Sequence, residues 1–249
     1  MPRHSHQDAV DERTFKQLLD AADELDKDVH RVEAKGILYL AGRLGLRAGE
    51  IAHLRSSWVD WEKQQIQIPY YQECTKGRDG GMCGYCKKQS AQNARKRNRH
   101  LLDTEYTRLD DYEELAPAGV YAELYEDFTT TAEMRETMWS PKTHNSARAI
   151  PFGFSDEIES ALEEFFFHFD RYSHSRVSVN RRVDAVAEKV GIDIYPHALR
   201  ATAASWHAYR GVPAVALQAL MGWAKLAVAQ KYIKLSGGAT ARALEEAHR

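Results

Sequence analysis

The sequence contains no apolar run approaching the roughly eighteen residues that a membrane-spanning helix requires, and its opening, MPRHSHQDAVDERTF, lacks the apolar core of a secretory signal. Both absences lead us to expect a cytoplasmic protein. Cysteine is scarce: the three residues Cys74, Cys83 and Cys86 cannot all pair within one chain, and the last two form a Cys-x-x-Cys, which suits a reducing compartment better than a disulfide scaffold. None of the glycine-rich phosphate-loop motifs of nucleotide-binding enzymes occurs, nor any internal repeat or low-complexity tract. What remains is a chain of 249 residues, 43% hydrophobic and 28% charged, ample for one sizeable core or two small ones.

The hydrophobic pattern is mainly helical. Phe15, Leu18, Leu19, Ala22 and Leu25 recur at helical spacing among acids, predicting an amphipathic helix over 11–30. Residues 32–45 predict a buried helix ending at Gly45, and RAGEIAHL a short helix entered at Arg47. Alternation around Gln65 to Ile68 marks a strand in a small hairpin, and residues 139–152 read as a second hairpin carrying Lys142. An acidic helix over 155–170, with Ser155 as its N-cap, precedes an almost continuous helical pattern from 176 to 234, broken at Gly191, Gly211-Val212-Pro213 and Gly222. A helical tail follows Gly237-Gly238, with Ala239, Ala243, Leu244 and Ala247 on one side. The expected fold class is mainly α (α+β), helices with a small antiparallel sheet.

The net charge of -2 hides an uneven division. Residues 70–100 hold eight Lys/Arg against two Asp/Glu, and residues 101–139 hold two against eleven. A nucleic-acid surface is compatible with this split, and so is a solvated, partly self-neutralising insertion over about 70–138. Within it, Cys74, Cys83 and Cys86 follow the spacing C-x8-C-x2-C, which could hold zinc with a fourth ligand such as His100; three free cysteines are the alternative.

His197 and Arg200 stand three apart, so a helix aims both side chains the same way. Chance alone supplies roughly one His-x-x-Arg in such a chain, and His168/Arg171 and His207/Arg210 match too. Only a constellation can promote one of them. That constellation is Arg47, Lys142, His197, Arg200, Trp223 and Tyr232, each in its own short motif. Its pieces, GLRAGEIAHL, PKTHNSARAIPF, HALRATAA and MGWAKLAVAQKYI, occur in an order that resembles the catalytic domain of the tyrosine recombinases, or phage-type integrases. Trp223 in place of the more frequent His, together with the acidic residues and cysteine-bearing insert, looks most like integrases of halophilic archaea.

The resemblance implies a single catalytic domain over 1–249 that breaks and rejoins double-stranded DNA at specific sites, for integration or excision of a mobile element. Arg47 and Arg200 would clamp the scissile phosphate with planar, directed hydrogen bonds. His197 would donate to the phosphate or exchange a proton with the nucleophile, and Trp223 would offer its indole N–H while packing the tyrosine helix. Tyr232 would be the nucleophile, favoured over Tyr209 by its spacing from Trp223, and Lys142 the general acid. Glu50 would orient neighbours. No cofactor is implied for the chemistry. Self-association into a dimer or tetramer on DNA, directionality or host factors, and a tail over 236–249 that packs into a neighbouring protomer or onto its own domain are further implications. The insertion lengthens the path from Arg47 to Lys142 beyond the usual, and we see no separate N-terminal DNA-clamping domain. A type IB-like topoisomerase, sharing the chemistry without strand exchange, and a catalytically silent DNA-binding protein are the competing readings.

Overall fold

The computed structural model describes residues 8–98 and 146–248. Two compact units divide the chain, one formed by residues 1–69 and 141–249, the other by residues 70–140. Among the described residues, no helix is long and apolar enough to cross a membrane.

In the first unit, α1 (Glu12–Asp23) starts where the Asp11 carboxylate accepts the Thr14 N–H at 2.8 Å, and it buries Phe15, Leu18 and Ala22 along one stripe. The single helix expected over 11–30 is two helices. The chain turns at residues 24–27, and α2 (Asp28–Gly42) begins beyond the turn. Leu25 is buried within that turn, whose carbonyl accepts from Arg31 Nε at 2.6 Å. It therefore meets the core without being helical, which is why periodicity alone carried the helix too far.

Helix α2 is the central element, with Val32, Ala34, Ile37, Leu38, Leu40 and Ala41 buried. Around it pack α1, α5 (Asp156–His168), α6 (Arg176–Val190) and α7 (Pro196–Tyr209). Phe165 of α5 anchors an aromatic cluster, with ring centroids 5.0 Å from Phe169 and 5.8 Å from Tyr172. Ser155 stands in extended backbone before α5, as expected of an N-cap residue, but its side chain makes no capping bond. One charge sits inside this packing. Buried Glu33 accepts from Tyr172 Oη at 2.6 Å and Arg182 Nε at 2.7 Å, and its ring partner His174 lies at 3.0 Å. Burial works to raise its pKa, but these hydrogen bonds and the Arg182 charge outweigh it and hold the carboxyl below its ordinary value.

After α7 come α8 (Ala214–Met221), α9 (Leu226–Ser236) and α10 (Gly238–Ala247). The expected breaks fall at Gly191, Gly211 and Gly222, all with positive φ. Among the described residues the unit also has three short strands, β1 (Val59–Asp60), β2 (Gln65–Ile68) and β3 (Arg148–Pro151), antiparallel in the order β1-β2-β3. Ile66 pairs with Ile150 and Ile68 with Arg148. The second hairpin contributes β3; its residues 139–145, Lys142 among them, lie outside the described residues. In the other unit, α3 being the short helix Ala48–Ile51 of the first, the described helix is α4 (Gly84–Arg97).

Candidate active site

Gly45 creates the turn on which the site is built. Its φ of +68° is one that a side chain resists, and a Cβ there would lie 2.6 Å from Met221 Sδ. Leu44 and Leu46, fully buried on either side, pin the turn and leave Arg47 at the entrance of α3. The turn also directs the Gly45 carbonyl toward Arg200 and Arg148.

Arg47 is held on several sides. Its Nη1 donates to Glu50 Oε1 at 2.7 Å and to Ser146 Oγ at 3.0 Å, while Nη2 donates to the Gly222 carbonyl at 3.3 Å. The Arg47 backbone N–H donates to Glu50 Oε2 at 2.9 Å, closing a ring between the helix entrance and the carboxylate. Arg200, on α7 and 3% exposed, donates through Nη1 to the Gly45 carbonyl and through Nη2 to the Met221 carbonyl.

Arg148 is the residue that sequence reasoning missed. Its guanidinium grips Glu50 with two bonds, Nη1 to Oε1 at 3.1 Å and Nη2 to Oε2 at 3.0 Å, and its Nε donates to the Leu220 carbonyl at 2.7 Å. A signal was present. Arg148 and Ile150 stand two apart on a strand, so both face inward, and a charged residue on an inward face requires a buried partner.

The electrostatics follow from this crowding. Three guanidiniums, from Arg47, Arg148 and Arg200, surround a single carboxylate. Burial works to raise the Glu50 pKa, but the charge and hydrogen bonds of Arg148, with the charges of Arg200 and Arg47, outweigh it and hold the carboxyl at about 2. Arg200 is driven well below the ordinary arginine value, first by burial and then by Arg47, while Glu50 and Tyr232 pull in its favour. The cluster is thus under-neutralised and partly desolvated. An anion with paired oxygens would supply what it lacks.

Beside the cluster, Trp223 and Tyr232 stack with centroids 5.2 Å apart and ring planes 13° from parallel. Trp223 is set by the left-handed cap at Gly222 and by reciprocal bonds with Gln218, the Trp223 N–H to the Gln218 carbonyl and Gln218 Nε2 to the Trp223 carbonyl, both 3.1 Å. Tyr232, on α9, is 8% exposed and packs with Ala201, Ala204, Ala208, Leu217 and Met221. His197 stands exposed in the first turn of α7, one turn before Arg200. Of the residues singled out in the sequence, Arg47, Arg200, Trp223 and Tyr232 therefore come together, His197 lies one turn before Arg200 on α7, and Lys142 lies outside the described residues. The other two His-x-x-Arg pairs lie elsewhere. His168 is exposed at the end of α5, while His207 is buried with its Nε2 2.8 Å from the Arg43 carbonyl, and Arg210 lies 3.8 Å over the Trp206 ring.

In the other unit, Cys74 and Cys86 are buried, Cys83 is half-buried, and their three sulphurs lie within 4.8 Å of one another.

Residues 130–237 match the model of the phage integrase family. The match spans Lys142, Arg148, His197, Arg200, Trp223 and Tyr232; Arg47 and Glu50 precede it. No curated protein matches the sequence significantly. Among solved structures, the XerA recombinase is 17% identical with a TM-score of 0.53, the alignment covering 97% of this chain and 63% of that one. The Tn1549 transposon integrase in complex with circular intermediate DNA is 16% identical with a TM-score of 0.58, covering 97% of this chain and 67% of that one. The chain thus spans about two thirds of the length of the structures it matches. Their likeness shows the fold alone: mainly helical, with a three-stranded antiparallel sheet among the described residues.

Proposed function

We propose that the chain is a site-specific tyrosine recombinase that cleaves and rejoins double-stranded DNA through a 3′-phosphotyrosyl intermediate, moving a mobile element into or out of a larger DNA. The observation that carries this reading is the under-neutralised cluster of Arg47, Arg148 and Arg200 around Glu50, set beside the stacked Tyr232.

A phosphodiester carries one negative charge, and its pentacoordinate transition state concentrates more on the non-bridging oxygens. Arg47 and Arg200 meet those oxygens with N–H donors held in advance, so little reorganisation is needed as charge develops. Glu50 and Arg148 do not touch the DNA in this scheme. They fix where the Arg47 guanidinium points.

Tyr232 attacks the phosphorus. The bond from its Oη to phosphorus forms, the bond from phosphorus to the 5′ oxygen breaks, and the phenolic proton leaves toward His197 or solvent. Lys142 protonates the departing 5′ oxygen. The phosphotyrosyl bond retains the energy of the broken linkage, so a 5′ hydroxyl from the same or a second duplex restores a DNA backbone by the reverse path. Trp223 holds the Tyr232 ring by stacking and presents an indole N–H toward the phosphate.

The rest of the chain serves this centre. Residues 1–69 and 141–249 form one catalytic domain interrupted by the insertion, and protomers pair on DNA through α10, which exposes Leu244. Deleting residues 239–249 should then leave monomers on a DNA site that the intact chain occupies as a dimer or tetramer; unchanged assembly would sink that part of the proposal.

The direct test is to mix the protein with fragmented DNA from its source, trap covalent adducts with detergent and sequence the attached ends. Adducts sharing one sequence, and lost in Tyr232→Phe, are the expected result. Adducts that persist in Tyr232→Phe would reassign the nucleophile. Protein that binds DNA and forms no adduct would favour a binding-only role. Adducts with supercoil relaxation but no strand exchange would favour a topoisomerase.

A further inference from the structure

The insert begins with a loop folded tightly enough to bring three cysteines together. Cys74 leads into Gly77, whose N–H donates to the Gly81 carbonyl at 2.5 Å across a 3-10 turn at Arg78–Gly80. A Cβ on Gly77 would sit 2.4 Å from the Met82 carbonyl oxygen, so the two arms of the loop approach this closely only because residue 77 is glycine. The chain returns on Cys83, whose backbone N–H donates to Cys74 Sγ at 3.5 Å.

Cys83 immediately precedes α4, and its carbonyl accepts the Lys87 N–H at 3.0 Å. Cys83 and Cys86 therefore flank a single first turn, which points both sulphurs the same way. Ser90 braces that turn from the next, its Oγ donating to the Cys86 carbonyl at 2.9 Å and lying 3.7 Å from Met82 Sδ.

Three convergent thiols with two of them buried are poorly explained as a disulfide, which would use two and strand the third. Three sulphurs gathered by one loop and one helical turn are instead the donor set of a tetrahedral metal site, which binds them as thiolates. In a tetrahedral zinc site with Zn–S bonds of about 2.3 Å, sulphurs stand roughly 3.8 Å apart, so the observed cluster needs to contract by no more than about 1 Å. A site rich in thiolates selects zinc over the harder divalent cations.

We infer that Cys74, Cys83 and Cys86 bind one structural zinc ion that locks the loop onto the first turn of α4. The fourth donor comes from outside these three; His100, the candidate from the sequence, lies outside the described residues. The ion takes no part in the phosphoryl chemistry and fixes the loop that opens the insert.

The test uses the full chain, purified without chelator from cells grown with zinc. Elemental analysis should give about one zinc per chain, and the thiols should react slowly with a disulfide reagent until a strong chelator removes the metal. Cobalt(II) added to the stripped protein should produce thiolate-to-metal charge-transfer absorption, with ligand-field bands that distinguish a tetrahedral three-sulphur site and report the fourth donor. Cys74→Ser, Cys83→Ser and Cys86→Ser should each lose the zinc while keeping the far-ultraviolet helical signal of the first unit. Metal-free protein whose thiols react equally fast with and without added zinc would overturn the inference, as would a full zinc content in the three serine variants. Zinc content is read without DNA cleavage, so either outcome leaves the recombinase proposal to its own test.

Discussion

Glu50 is the counter-charge for three guanidiniums, and its removal should be felt first as stability. Its carboxyl is held at about 2 in the folded chain against an ordinary 4.5, so the unfolded state binds the proton more readily. The stabilisation is complete above about pH 4.5 and is lost as the pH falls toward 2, amounting to roughly 3 kcal/mol at neutral pH. Glu50→Gln should therefore lower unfolding stability by about that much at pH 7, and the gap from the parent should narrow as denaturant melts are repeated through pH 4.5 and below. A gap that does not change with pH would deny Glu50 its charged role. Arg148 tests the same cluster kinetically. Arg148→Lys retains a positive charge but loses the two-pronged grip on Glu50, leaving Arg47 less firmly aimed. Covalent adduct formation should slow on the order of 10²-fold while affinity for the same DNA stays near the parent value, because a misplaced clamp costs rate before binding. A loss confined to affinity would place Arg148 on the DNA instead.

At the scale of elements, the turn before α3 governs the site, because one carbonyl there serves both Arg200 and Arg148. Gly45→Ala places a side chain at φ +68°, a strain on the order of 1–2 kcal/mol. Asparagine tolerates this conformation better. The expected order of stability in urea melts is Gly, then Asn, then Ala, with cleavage rates in the same order; equal melts for all three would show that the turn relaxes freely. The turn also shows what could be read from the chain. Gly222 announced the break before Trp223, and Gly45 takes the left-handed conformation expected of it, because both depend on a residue's own backbone preference; but α2 ends before Gly45, at Gly42, with Arg43 as its cap. The break between α1 and α2 was illegible, since Leu25 satisfies the helical period while lying in a turn. Arg148 was legible in principle. What hides it is distance along the chain, for the partner that makes an inward arginine tolerable lies 98 residues earlier. Motif order can assemble a list of site residues, but only the fold shows which of them hold the others.

For the whole molecule, a net charge of -2 sets an unusual condition on binding a polyanion: attraction has to be local. Under the proposed function, the arginine cluster would supply some of it at the phosphate to be cleaved. The insert would supply more, for residues 70–100 carry eight Lys/Arg against two acids, and Lys87 and Lys88 stand exposed on the first turns of α4. If these lysines lie against phosphates, each neutralised phosphate releases condensed counterions and steepens the salt dependence by about 0.9 in log K against log salt. Lys87→Ala with Lys88→Ala should then weaken binding to every DNA sequence alike and flatten the slope by about 2, leaving the choice of site unchanged. Fluorescence anisotropy over a salt series, with cognate and unrelated duplexes, separates the outcomes. A flattened slope on both duplexes assigns α4 to the backbone of the DNA. A slope identical to the parent's leaves the basic insert as a solvated surface balanced by the acidic stretch that follows it. A loss restricted to the cognate duplex would mean that α4 reads bases, a task for which lysines bound only to phosphates are unsuited.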